Sequence, residues 1–159
     1  MAALVLALAM ALFGGLFSRR LALDRGYPSG ALAFMRDHHL HGRVLAEFGW
    51  GEYLIWHSAP ADKVFIDGRY DTVYPLSVIR EYLDFYFDQP GGVAMLHAHP
   101  HDFVLVGPQA PARRLMQQRA DWKLVYHDET ALLFARSNAP AATIPGLPQT
   151  AATGLGGFP

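Results

Sequence analysis

Cysteine is absent from all 159 residues. That one absence removes disulfides, thiol nucleophiles and cysteine-based zinc sites together. Charge of either sign is sparse, with 13 basic and 14 acidic side chains and a formal net charge of −1. The basic residues are scattered rather than massed, so no nucleic-acid partner is expected. No Gly-x-Gly-x-x-Gly fingerprint, Gly-Lys-Ser/Thr phosphate loop or Gly-x-Ser-x-Gly elbow occurs, and no cofactor is implied. Serine is limited to Ser18, Ser29, Ser58, Ser77 and Ser137, none in a His–Asp context that suggests a nucleophile.

Apolar residues are abundant instead, at 52%, with 13% aromatic. Much of the excess lies in MAALVLALAMALFGGLF, Met1 to Phe17, which carries no charged side chain and is followed by Ser18, Arg19 and Arg20. Its length is close to the roughly 20 residues of a membrane span. A cleaved signal peptide fits less well, because no Lys or Arg precedes the run and no small-x-small site precedes Arg19. A core helix would show a polar face, and this run has none. The expected organisation is a transmembrane anchor over 1–20, an α/β domain over 21–137 and a disordered Pro/Gly/Ala-rich tail over 138–159.

Between anchor and tail, strand-like and helix-like segments alternate. Helices are expected from Pro28 to Gly42, Trp50 to Ser58, Pro75 to Phe87 and Pro111 to Ala120, with a short helical turn after Gly92. Strands are expected at Arg43–Phe48, Lys63–Asp67 and Asp102–Gly107, followed by a hairpin from Trp122 to Ser137 that turns at His127–Glu129. The pattern predicts a three-layer α/β domain with a mainly parallel sheet, Lys63–Asp67 and Asp102–Gly107 at its centre, and an antiparallel edge hairpin.

In such a sheet ligands bind outside the carboxyl ends of the strands. Asp67 and Arg69 follow one strand, and Glu52 and Asp71 are candidates for the same rim. Carboxylates beside one arginine suit a divalent cation or an anionic sugar-phosphate. The alternative is structural: Arg69 pairs with Glu52 or Asp71, while Asp67 caps its loop. His97, His99 and His101 suggest a partial zinc site, but Pro100 interrupts them and no recognised zinc spacing is present. His38, His39 and His41 sit at a helix end, where His suits the dipole. Trp50, Tyr53, Tyr70 and Tyr74 are able to stack on sugar rings or to pack with their polar tips at the rim, whereas Trp56 is expected to pack.

The motifs Trp50-Gly51-x-Tyr53-Leu54 and Phe65-Ile66-Asp67-Gly68-Arg69, with DFVLVG and WKLVYHDETALLFAR downstream, resemble the C-terminal extramembrane domain of bacterial integral-membrane glycosyltransferases. These enzymes use lipid-linked sugars and are related to dolichyl-phosphate-mannose protein mannosyltransferases. The resemblance spans Pro28 to Arg136. A more distant similarity, through Trp50 and Tyr53, is to the Trp-Trp-Asp-Tyr-Gly region of oligosaccharyltransferase catalytic subunits, which helps recognise the acceptor. In that superfamily the catalytic carboxylates lie between earlier membrane helices, and this chain has at most one such helix. The resemblance therefore implies a non-catalytic part of a membrane glycosyltransferase system, a fragment or an accessory. Its ligand-facing residues would be Trp50, Tyr53, Asp67 and Arg69, and its partners the membrane, a glycosyltransferase membrane subunit, or a lipid-linked sugar or acceptor. It also implies an inner-membrane protein with its domain outside the cytoplasm, although two arginines after the apolar run favour the opposite orientation. The other reading is a membrane-anchored interaction module without a ligand.

Overall fold

Three continuous apolar runs supply the interior of the sheet. They are β1 (Arg43–Ala46), β3 (Phe103–Val106) and β5 (Leu132–Arg136), and their central residues are buried on both faces. β2 (Lys63–Val64) and β4 (Trp122–His127) complete five strands in the order β2-β1-β3-β5-β4. The structure, a computed structural model, describes residues 26–144. The expected anchor over 1–20 lies outside the described residues. Among those described, no helix is long and apolar enough to cross a membrane.

Among the described residues the α-helices are α1 (Ser29–Asp37), α2 (Gly51–Ser58), α3 (Leu76–Tyr86), α4 (Gly92–Ala98) and α5 (Ala112–Gln117). Alternation along each buried strand feeds two cores. Leu45, Val104, Val106, Leu132 and Phe134 pack with Ile79, Tyr82 and Phe85 of α3, Met95 and Leu96 of α4, and Leu115 and Met116 of α5. Val44, Ala46, Phe103, Leu105, Leu133 and Ala135 pack with Ala31 and Met35 of α1 and Leu54 of α2. The sheet is thus a middle layer with helices on both faces.

Two expectations about this sheet need correction. It is mixed rather than mainly parallel: β1 pairs parallel with β2 and β3, but β3–β5 and β5–β4 are antiparallel and longer. The hairpin is not an appendage, because β5 is apolar enough to be covered on both faces and takes the place beside β3. Lys63–Asp67, in turn, is an edge and not a centre. Its ladder covers only Lys63 and Val64. Ile66 is buried in the core beneath α3 and α4, and Asp67 is buried with Gly51 of α2 against its main chain.

Smaller differences have local causes. α1 stops at Asp37, five residues before Gly42, and His39 takes a left-handed conformation (φ 54°) just beyond it. Trp56, expected to pack, is 85% exposed on α2. Past residue 137 the chain stays on the domain as far as Ile144: Pro140–Thr143 forms a 3-10 turn with Ala141 and Ala142 buried, and the Lys123 ammonium donates to the Ala142 carbonyl at 2.6 Å. Residues 145–159 lie outside the described residues.

Candidate functional site at the carboxyl end of the sheet

The chain leaves β1 for α2 on one face of the sheet, and leaves the adjacent parallel β3 for α5 on the other. This reversal opens a crevice at the carboxyl ends of the two strands, the place where ligands bind in open α/β sheets. Glu47, the residue after β1, occupies it. Its main-chain N–H donates to the Leu105 carbonyl at 2.9 Å. One carboxylate oxygen accepts from the Gly107 N–H at 2.9 Å, and the other from the Tyr86 hydroxyl at 3.4 Å.

On one side of Glu47 is a cavity of about 260 Å³ lined by Phe48, Gly49, Tyr70, Tyr82, Leu83, Tyr86 and Phe87. Its walls are ring faces: Phe48 stands edge-on to Tyr70 at 5.5 Å, and Tyr82 stacks on Tyr86 at 6.0 Å. The Tyr82 hydroxyl is buried with no partner of good hydrogen-bond geometry among the described residues. Burial pushes the hydroxyl pKa of both Tyr82 and Tyr86 upward, so both remain protonated donors. On the other side is a shallower cavity of about 370 Å³, bordered by Gly26, Trp50, Gly107, Gln109, Glu129 and Thr130.

Asp67 and Arg69 stand at the neighbouring end of β2, and they bind each other. The Arg69 N–H and Nε donate to Asp67 Oδ1 at 3.0 and 2.9 Å, and Nη2 donates to Oδ2 at 2.6 Å. The Tyr74 hydroxyl adds a fourth bond, to Oδ2 at 2.8 Å. Hydrogen bonding from Arg69 holds the fully buried Asp67 carboxyl down at about 2, against the opposing effect of burial. The pairing differs from the one expected: Arg69 takes Asp67 itself, not Glu52 or Asp71. The Arg69 side chain remains 59% exposed. The loop then turns sharply, with Tyr70 in the left-handed region at φ 44° so that its ring reaches the cavity beside Glu47.

Trp50 and Tyr53 do other work. The Trp50 indole donates to the Gly26 carbonyl at 2.8 Å, and Tyr53 stacks on Tyr27 at 4.8 Å. Together they fasten the segment through which the N-terminal region joins the domain. Trp50 still borders the crevice, whereas Tyr53 faces a separate groove of about 520 Å³ with His41, His57 and Asp62. Glu52 lies over Gly68, where a Cβ would collide with its carboxylate. The four expected ligand residues thus form one ion pair at the rim, one crevice wall and one clamp, not a single pocket.

The histidines do not converge. His97 meets Arg119 at 3.2 Å, His99 meets Glu81 at 2.5 Å, and His101 is buried beside Phe65 at 5.2 Å. Among the described residues no three His, Asp or Glu side chains group to hold a metal. Glu47, Tyr82 and Tyr86 are the residues that sequence reasoning missed. Glu47 was within reach of the argument used for Asp67, being an acidic residue directly after an apolar strand. No protein-family model, curated protein or solved structure matches the chain.

Proposed function

We propose that this chain is a non-catalytic extramembrane domain, fragment or accessory, of a membrane glycosyltransferase system, and that its carboxyl-end crevice contacts the sugar or the acceptor. The observation that carries the proposal is the cavity in which a fixed carboxylate, Glu47, faces aromatic walls and the buried Tyr82 hydroxyl. Ring faces cover the C–H face of a sugar, a carboxylate accepts from its hydroxyls, and a buried phenol is completed by one of them. The exposed edge of Arg69, beside Tyr70 on the same loop, suits a phosphate linked to that sugar. The resemblance of the Trp50–Leu54 and Phe65–Arg69 motifs supports the same direction.

Saturation-transfer NMR on the full chain in detergent micelles tests this, with methyl mannoside, methyl glucoside and a short-chain prenyl-phosphate sugar as probes. Transfer to the sugar ring protons is expected for at least one probe, and Glu47→Gln and Tyr70→Ala are expected to remove it. Absence of transfer from all three at millimolar concentration, with the fold intact, would overturn the proposal. That outcome would favour the second reading, a membrane-anchored interaction module without a ligand. Its supporting observation is that both carboxylates at this end, Asp67 and Glu47, already accept from the domain's own donors at both oxygens.

A further inference from the structure

Among the described residues six large apolar side chains are exposed, and two of them, Tyr70 and Phe87, border the crevice. Tyr70, Val73 and Leu76 follow β2, and Phe87 shares the cavity with Tyr70; their exposures run from 39% to 61%. Ile55 and the 85% exposed Trp56 lie one turn along α2 from Glu52, which covers Gly68 of the same loop. The opposite end of the sheet carries ion pairs, Arg43 to Asp102 and Arg119 and Arg136 to Asp121, and an exposed Gln118 after α5. The apolar side chains of the rim, by contrast, are interspersed with Arg69, Asp71 and the Asp88–Arg114 pair. A soluble surface rarely groups large apolar side chains without a partner.

The position of the N-terminal connection says which partner. Gly26, the first described residue, is held by Trp50 and borders the crevice beside Glu47. The uncharged run ends at Phe17, and the eight residues 18–25 between them reach at most about 28 Å when fully extended. A bilayer holding that run therefore lies within that reach of Gly26, whose own position is at the carboxyl-end face.

We infer that the carboxyl-end rim formed by Tyr70, Val73, Leu76 and Phe87 rests on the bilayer surface, so that the crevice opens toward the membrane plane. Aromatic and aliphatic side chains on a loop suit the boundary between headgroups and acyl chains. A lipid-linked sugar would meet Glu47 from that side. The inference rests on the reading that Met1–Phe17 lies in a bilayer.

The absence of cysteine makes the test direct. Val73→Cys, Phe87→Cys and, as a control, Gln118→Cys are each labelled with an environment-sensitive nitrobenzoxadiazole probe in the full chain. The labelled proteins are reconstituted into phosphatidylcholine–phosphatidylglycerol vesicles, with and without a lipid bearing a quencher at headgroup depth. Flotation of the vesicles reports the anchor. The probes at positions 73 and 87 are expected to shift to the blue and be quenched, while the probe at 118 stays as in water. Adding Leu76→Glu to Phe87→Cys is expected to reduce the quenching. Chains that float with no quenching at 73 and 87, or with equal quenching at all three positions, overturn the inference. Chains that do not float overturn the anchor and the inference together. Sugar binding in micelles reports on the crevice independently of both.

Discussion

The two ends of the sheet carry the same ion pair in two environments. At the carboxyl end, the Arg69 N–H and Nε share one oxygen of Asp67 and Nη2 takes the other. At the amino end, the Arg43 N–H and Nε share one oxygen of Asp102, at 2.8 and 3.1 Å, and Nη2 takes the other at 3.2 Å. Both pairs are bidentate with an added main-chain bond. What differs is the surroundings: the Asp67 side chain has no exposure and gains the Tyr74 hydroxyl, whereas Asp102 is 40% exposed. The first pair locks a loop whose carboxylate has no access to water. The second decorates a surface where water substitutes for either partner. Identical geometry carries different weight because an unmet polar group is costly only where water cannot reach it.

Removing the acid should break the comparison most visibly. Asp67→Ala strands the Tyr74 hydroxyl and the Arg69 N–H, and is expected to lower stability by roughly 1.5–3 kcal/mol, the range for hydrogen bonds to a charged group. The urea midpoint of unfolding measures this. A loss no larger than that of Asp102→Ala would show that the burial of Asp67 is irrelevant.

Gly51→Ala attacks the same loop by packing alone. The added Cβ would sit 2.6 Å from the Asp67 Cα and from the Ile66 carbonyl oxygen, main-chain atoms that cannot swing aside. A loss of about 1–3 kcal/mol is expected, as for other overpacked sites. Gly49→Ala is its control, since a Cβ there meets nothing within 4 Å and should leave the melting temperature almost unchanged.

Acid should separate the buried histidine from the paired carboxylates by pH. The depressed pKa of Asp67, about 2, means that its contribution is present above the unfolded value of 3.8 and is lost as pH falls toward 2. His101, at the amino end, is held down at about 4, chiefly by burial. The folded state therefore disfavours the charged imidazole, and stability falls as pH drops from 6.5 to 4. Stability measured against pH should show two steps. His101→Gln is expected to flatten the upper one and Asp67→Asn to reduce the lower one, to which Asp102 and Asp121, held down by Arg43 and Arg119, also contribute. Loss of both steps in either variant would mean that the ends are coupled.

The smallest effect belongs to the exposed pair. Asp102→Ala is expected to cost about 0–1 kcal/mol, read from the same urea midpoints.

Much of the layout was legible in the residues. The runs VLA, FVLV and LLFA lack polar residues, and a strand with no polar face must be covered on both sides. The hydrophobic period of 3.6 placed α3, and proline and glycine marked where helices begin and end. The rim location of Asp67 and Arg69 followed from their place after an apolar run. Strand order did not follow. Whether Lys63–Asp67 or Leu132–Arg136 becomes an interior strand depends on which helix covers which run, and both runs look alike in sequence. The partner of Arg69 was equally out of reach, because Glu52, Asp67 and Asp71 are interchangeable until the fold buries one of them.

The sequence by itself determined that apolar strands would be sandwiched between helices, since burial is proportional to apolar area and local patterns carry that area. Only the tertiary structure decided that Glu47 meets Gly107 across 60 residues. It also decided that Tyr82 loses its water and that Trp50 clamps Gly26. Those contacts join segments with no local preference for one another, and they form where strand order and loop closure bring the segments together.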